Sequence, residues 1–471
     1  MAIENPEAIR DRLLKKLARE RRFLTRYDDY FEGEQGLKYL APEVREQIGT
    51  RLVDLLINLP RYTTDVYENR LDIRGWRFPG AESGDKDLWS VWQHNDGDML
   101  AQQVHRDSLA ISRSYVLVGE GDTDMPLITA QSAFDAIHED DPRTHNVRYG
   151  LTQWTEEDGS RWINVFHPDG RVTWVKKPKS NQWTADGKPE ENTFGLPRLV
   201  PLINDPRILG RQVANRSDQR LGRSVFHDLL GPTEALNKIL TDMMVSAEFH
   251  AMPRRWATGL AEDDFVGENG EALSTFEMIA GRIWGVSNKE AKFGQFPEAN
   301  LDNFHSTAKL LVQFAFMMLG LPAHYLPFVG DNPASADAIR SSESQLVKRA
   351  ERKQSVLSTR WERVQRLVLL TQGKADTDNV RQIETMWGDP ATPTFAQKAD
   401  GTVKLVQAKD SSGRSIITVD QAREDLGYTQ GQRDRMATAD AVSEDATLAA
   451  SVRAAADAER AAAGVNGVES V

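Results

Sequence analysis

The residues with the most chemical potential in this chain are its histidines and carboxylates, because cysteine is absent from all 471 residues. Without cysteine there can be no disulfide, thiolate nucleophile or thiolate-held metal. His94 and His105 form one group, and His138 and His145 beside Glu139, Asp140 and Asp141 form another. Neither shows the i, i+4 spacing that puts two imidazoles on one helix face in a zinc protease, so these histidines read as surface or cap residues. "HNDGD" and "DFVGENGE" concentrate carboxylates but lack the twelve-residue ligand ladder of a calcium loop, and read as solvated turns. The chain holds no GxxxxGK[ST] phosphate loop, no GxSxG elbow and no GxGxxG after a strand. The expectation is a protein with no catalytic residue, no metal and no cofactor. A metal-dependent hydrolase built from the scattered His and Asp residues is the alternative from the enzyme classes, and no spacing supports it.

Charge and composition narrow the rest. With 40% hydrophobic and 27% charged residues the chain can bury a core and should divide into more than one structural unit. A net charge of -12 argues against a free-standing nucleic-acid binder. One segment runs the other way: residues 335–371 carry eight basic side chains (Arg340, Lys348, Arg349, Arg352, Lys353, Arg360, Arg363, Arg366) against four acidic ones (Asp337, Glu343, Glu351, Glu362), a local balance of +4. Either a solvated helix face laced with i, i+4 pairs or a DNA-facing patch fits that bias. The start, "MAIENPEAIRDRLLKKLARERRF", has no apolar core of signal-peptide type and reads as a charged helix beginning near Pro6, so a cytoplasmic site of synthesis is expected. The longest apolar run, 310–323, is interrupted by Gln313 and falls short of the roughly 20 residues a bilayer needs, so no membrane partner is expected.

The elements that would position these residues follow from periodicity. The first 74 residues read as helical with a loop at "YFEGEQGLKYLAPE"; Leu52, Leu55, Leu56 and Leu59 recur at helical spacing until Pro60 interrupts. A helix is predicted from Asp98 to about Ser112, then a buried strand at "SYVLVG". "NVRYGLTQWTE", "RWINVFH" and "RVTWVKK", separated by Asp158-Gly159 and Asp169-Gly170, predict an antiparallel meander. Five prolines make residues 178–221 loop-like, with "LVPLI" as a short strand on a sheet edge. Leu236, Ile239, Leu240, Met243 and Ala247 mark a helix after Gly231-Pro232; a polar excursion follows over 254–300; Leu301, Phe304, Ala308, Leu311, Ala315 and Met318 then mark a second helix, closed by Gly320 and Pro322. "LPFVGDNPASADAIRSSESQLVKRAERKQ" turns from loop to helix at Asn332-Pro333, an N-cap with proline at the first helical position. Ile339, Leu346, Ala350, Leu357, Trp361, Val364 and Val368 keep one apolar face from there, over a helix about 55 Å long. Residues 372 onward read as a linker, a helix and a helical turn, and the Ala-rich tail from Ala437 as either a solvent-facing helix or disorder.

In their order, "YFEGEQGLKYLAPE", "YENRLDIRGWRF", "LGRSVFHDLLGPTEALNKILTDMM", "FPEANLDNFHSTAKLLVQFAFMMLGLPAHYL", "ASADAIRSSESQLVKRAERKQ" and "IETMWGDPATPT" resemble the portal proteins of tailed bacteriophages, of the siphovirus and actinobacteriophage type. The resemblance implies a mainly helical α+β portal fold: a wing with a β-rich part over 1–223, a stem helix over 224–252, a clip over 253–299, a second stem helix over 300–320, a tunnel loop over 321–334, a long wing helix over 335–371, wing and crown over 372–436, and the Ala-rich tail over 437–471. It implies a dodecameric ring at one capsid vertex, assembled in the host cytoplasm and carried in the virion. Double-stranded DNA would pass through the ring, and its partners would be the terminase large subunit, a head-completion or adaptor protein, and the major capsid and scaffolding proteins. Leu321, His324, Tyr325, Phe328, Asp331 and Asn332 would face the channel. Leu311, Ala315, Met318, Leu357 and Trp361 would pack the oligomer, and Glu262, Asp263, Asp264, Glu268 and Asn269 would form the clip's partner surface. The loop has no Lys or Arg, so steric or weakly polar contact with DNA is expected there, and Tyr325 and Phe328 as ordinary core aromatics is the competing reading. Another head-assembly or minor capsid protein is the rival function.

Overall fold

The structure is a computed structural model that describes residues 5–36, 56–81, 84–121, 125–192, 195–208, 218–251, 255–258, 290, 292–295, 301–325, 336–374, 379–391, 393 and 395–465. In chain order the elements are α1 (Pro6–Glu32), α2 (Leu59–Glu68), β1 (Ile73–Arg77), α3 (Lys86–His94), α4 (Gly97–Ile111), β2 (Arg113–Gly119), β3 (Leu127–Ser132), β4 (Ala136–Asp140), β5 (Val147–Thr155), β6 (Arg161–His167), β7 (Gly170–Lys176), β8 (Thr184–Glu191), β9 (Leu199–Ile203), α5 (Leu230–Ala251), β10 (Arg255–Thr258), β11 (Lys292–Gln295), α6 (Asp302–Leu319), α7 (Ala336–Thr371), β12 (Glu384–Trp387), α8 (Phe395–Gln407), α9 (Val419–Asp425) and α10 (Gln430–Val465). The class is α+β. Two compact units emerge, one of residues 1–24, 64–224 and 347–471, the other of 25–63 and 225–346.

The first unit is built on an antiparallel five-stranded sheet of order β4-β5-β6-β7-β8. Side chains alternate across a sheet, so Tyr149 and Leu151, Ile163 and Val165, and Val172 and Trp174 share one face. Ile9, Leu13 and Leu17, one helical turn apart on α1, pack onto that face in a single core cluster. Register places Leu151 opposite Val165 and Ile163 opposite Trp174, which concentrates the apolar contacts. Asp158 shapes the β5–β6 turn by accepting from the Ser160 amide at 2.7 Å, and Gly159 adopts the positive φ the turn requires. A three-stranded sheet of order β3-β2-β9 places "LVPLI" on an edge, where Pro201 removes no ladder bond the sheet needs.

A tryptophan cluster closes this unit. Trp76 from β1, Trp92 from α3 and Trp361 from α7 are fully buried; Trp76 meets Trp92 edge-on at 4.8 Å and Trp92 meets Trp361 edge-on at 5.2 Å. Gly97 starts α4 so close to the Trp92 indole that a Cβ there would lie 2.1 Å from a ring carbon, so any side chain would displace the ring. The predicted apolar face of α7 holds from Leu346 on: Leu346, Ala350, Leu357, Trp361, Val364 and Val368 are all buried, while Ile339 is only half-buried.

In the second unit α5 and α6 pack together. Among the described residues Leu230, Thr233, Leu236, Asn237 and Thr241 are the buried ones of α5, so that of its predicted stripe only Leu236 is buried and Ile239, Leu240, Met243 and Ala247 are half-buried. Ala315, Phe316 and Leu319 are the buried ones of α6. Polar ties fix the pair to its surroundings: Asn237 accepts from the Ile57 amide at 3.0 Å, Tyr27 bonds His227 at 2.6 Å, and Tyr30 donates to Glu234. Tyr62 stacks on Phe316.

Several sequence expectations need correction. Pro60 begins a helix instead of ending one, because a proline in the first turn sacrifices no intrahelical bond. Residues 73–77, which begin inside the section read as helical, and 384–387, read as linker, pair as an antiparallel ribbon. Residues 184–191, read as loop, form the fully exposed edge strand β8, whose polar sequence carries no alternation to read. Of the two readings of the tail from Ala437, the helical one holds as far as Val465, within α10. His105 and His138 are buried, not surface or cap residues.

Candidate functional site

The polar excursion begins and ends in a two-stranded ribbon: Arg255 pairs with Gln295 and Thr258 with Lys292, so the chain leaves α5 and returns toward α6 through a fixed base. Glu262, Asp263, Asp264, Glu268 and Asn269, assigned to the partner surface, lie outside the described residues, as do Phe328, Asp331 and Asn332 of the expected loop.

α6 carries two apolar faces. Ala315, Phe316 and Leu319 are buried, with Leu301, Phe304, Ala308 and Leu311 half-buried beside them. Leu310, Phe314, Met317 and Met318, at spacings of four, three and one, are exposed by 48%, 48%, 67% and 42%. Of the five residues assigned to oligomer packing, Met318 is therefore at the surface and Leu311 half-covered, while Ala315, Leu357 and Trp361 are buried within their own units. The sequence stripe found Ala315 and the half-buried residues of the inner face of α6, but it took in the exposed Met318 and missed the buried Phe316 and Leu319. The outer face was legible only as hydrophobic surplus, since a helix with one partner needs only one stripe.

The chain leaves α6 through Gly320, whose positive φ and amide bonds to the Met317 and Phe316 carbonyls form a left-handed helix stop. Leu321 is buried. A short 3-10 turn at 323–325 follows, and the long helix holds it: Tyr325 donates to Glu343 Oε1 at 3.0 Å, His324 Nε2 lies 3.4 Å from the same oxygen, and Ser342 Oγ meets His324 Nδ1 at 3.2 Å. Residues 321–325 thus form an anchored turn. We expect Tyr325→Phe to cost about 1 kcal/mol and Glu343→Leu, which removes the shared acceptor, about 2 kcal/mol in urea unfolding. Unchanged midpoints in both variants would mean the hub does not form in solution.

The basic bias of α7 is largely used inside the first unit. Lys353 donates to Asn204 Oδ1 at 2.7 Å and sits 5.1 Å over the Tyr67 ring; desolvation pulls its pKa down to about 8, against the pull of Asp205. Arg363 donates to Asn146 and Arg366 to the Val380 carbonyl, and burial lowers the Arg360 and Arg363 values below the usual guanidinium range. These cations pack within the protein, which departs from both the solvated-face and the DNA-facing readings of the charge bias.

The histidines serve the core. His105 Nε2 accepts from Trp361 Nε1 at 2.8 Å, and desolvation drives its pKa down to about 3, opposed by a bond to the Leu71 backbone. His138 meets the Tyr115 hydroxyl at 3.0 Å, with Lys16 donating to its carbonyl. Burial pushes the His138 pKa well down and the Tyr115 pKa up to about 12. Among the described residues no three His, Asp or Glu side chains converge as metal ligands, and no helix is long and apolar enough to cross a membrane. A cavity of about 690 Å3 in the first unit is lined by Asp72, Asp98, Trp387, Lys398 and Arg433, among others. Its Asp98 accepts from Trp92, and its Arg433 pairs with Glu424, so these groups are engaged with the wall.

Two helices that flank a ribbon-based excursion and then feed a 36-residue helix match the order of parts on which the resemblance rested. A family model described as phage portal protein, SPP1 Gp6-like, matches residues 10–426. The chain belongs to this family of phage portal proteins. Over 447 residues this portal-family chain is 28% identical to a portal protein of Mycobacterium phage D29, a match covering 92% of this chain and 88% of that protein. Over 446 residues it is 27% identical to a portal protein of Mycobacterium phage L5, with the same coverage. Among solved structures it is similar, at 13% identity and a TM-score of 0.43, to a chain in the neck of a native GTA particle computed with C12 symmetry, covering 79% of this chain and 90% of that one. The portal family is a structural one.

Proposed function

We propose that this chain is the protomer of a closed ring, dodecameric at one capsid vertex, through which double-stranded DNA is packaged and ejected. The ring docks the terminase large subunit and later a head-completion protein through the excursion between α5 and α6. The observation that carries this reading is the second apolar face of α6. Among the described residues the chain leaves that face exposed, and a contiguous exposed apolar patch marks an interaction surface. A ring of identical subunits covers that face on every copy at once, because each subunit presents it to a neighbour. The acidic chain suits a conduit, since each neutralised phosphate would add binding that resists sliding.

Purified protein should appear in negative stain as a ring with a central hole. Phe314→Asp with Met317→Asp should leave the protomer folded by circular dichroism and shift its mass in solution to that of a monomer. Rings of normal size from the double variant would remove α6 from the interface, and a monomeric wild type would sink the ring itself.

A further inference from the structure

Among the described residues the C-terminal helices bury few side chains. Of the described residues in α8 only Thr402 is buried, in α9 only Ala422 and in α10 only Arg433. Yet α8 presents Phe395, Ala399, Val403 and Val406 at i, i+4, i+8 and i+11, and Phe395 and Val403 are exposed by 64% and 51%. Ile416, held beside the end of α8 by its amide bond to the Ala408 carbonyl, and Val419 extend the patch, each more than half exposed. A helix of 13 residues is marginal in water without such a face being covered.

Charge says what covers it. Residues 395–416 carry Lys398, Lys404, Lys409 and Arg414 against Asp400 and Asp410, a balance of +2. Residues 437–465 of α10 carry Asp440, Glu444, Asp445, Asp457 and Glu459 against Arg453 and Arg460, a balance of -3, and Val442 there is 65% exposed. We propose that the apolar, basic face of α8 is covered by the acidic α10 of a second copy of this chain. The inference rests on the ring reading above and adds the element pair that forms one of its subunit contacts. Apolar side chains from Phe395, Val403 and Ile416 lose water against the Ala-rich helix, and the net charges of the two segments are opposite in sign.

The absence of cysteine makes the test clean. Val403→Cys chains are mixed with Val442→Cys or Thr447→Cys chains, assembled, and oxidised or treated with a flexible bismaleimide. A covalent heterodimer at one of the two α10 positions is the expected result, and Lys398→Glu with Lys404→Glu should abolish it while the folded content is retained. Rings that form normally with no α8-to-α10 link by either chemistry overturn this inference and leave the ring reading standing. A Val403→Cys, Val442→Cys double variant that links only within its own chain also overturns it. A chain that stays monomeric overturns both.

Discussion

Between pH 7 and pH 4 the first unit should lose about 3 kcal/mol through His105 alone. The sign follows from the two states. In the folded chain burial holds the His105 pKa at about 3, whereas the unfolded imidazole titrates near 6.5. Below pH 6.5 the unfolded chain therefore takes a proton that the folded chain refuses, and stability falls as the pH drops from 6.5 toward 3. His138, fully buried and shifted the same way, adds to the loss. Urea unfolding at half-unit steps of pH is the measurement. His105→Gln, which keeps an acceptor for Trp361, should be less stable at neutral pH but show a slope shallower by one proton over that window. An unaltered slope would mean that His105 is already charged or solvent-exposed in the folded protein.

Trp361→Ala should cost the first unit about 3 to 5 kcal/mol, as expected for a fully buried indole. Three contacts go at once: the edge-on meeting with Trp92, the ring contact with His105, and the indole donor to His105 Nε2. Trp361→Phe keeps an aromatic ring in the cluster but leaves the imidazole acceptor unmet, and should cost about 1 to 3 kcal/mol. Near-ultraviolet circular dichroism during denaturation distinguishes loss of fold from loss of assembly. If Trp361→Ala protomers melt normally and only the rings dissociate, then the indole acts between subunits.

How much of this was readable before any coordinates depends on periodicity. The face of α7 was legible because Leu346, Ala350, Leu357, Trp361, Val364 and Val368 recur at helical steps and all are buried. The meander was legible because its strands alternate and its turns carry Asp-Gly. β1 and β12 were hidden because "IRGWR" and "ETMW" are too short to show a period and pair across some 300 residues of chain. His105 was misjudged because a histidine's burial depends on what arrives from elsewhere, here an indole 256 positions away. The two faces of α6 were merged into one for a related reason: a single sequence shows that a side chain is apolar and leaves open whether its own chain covers it.

The first unit is assembled from three stretches of chain, 1–24, 64–224 and 347–471, and this carries a kinetic consequence during synthesis. Until Trp361 emerges from the ribosome, the surfaces of Trp92 and His105 that it will cover stay wet, while the whole of residues 225–346 has already been made. Non-local closure of this kind is slow, because the entropy of a long loop is lost before the contact that rewards it forms. Nascent chains should therefore be at their most aggregation-prone in the interval just before residue 361 appears, and a chaperone that binds aromatic segments would act on the first unit's unfinished half. A premature stop anywhere before α7 would leave this tryptophan cluster open for good.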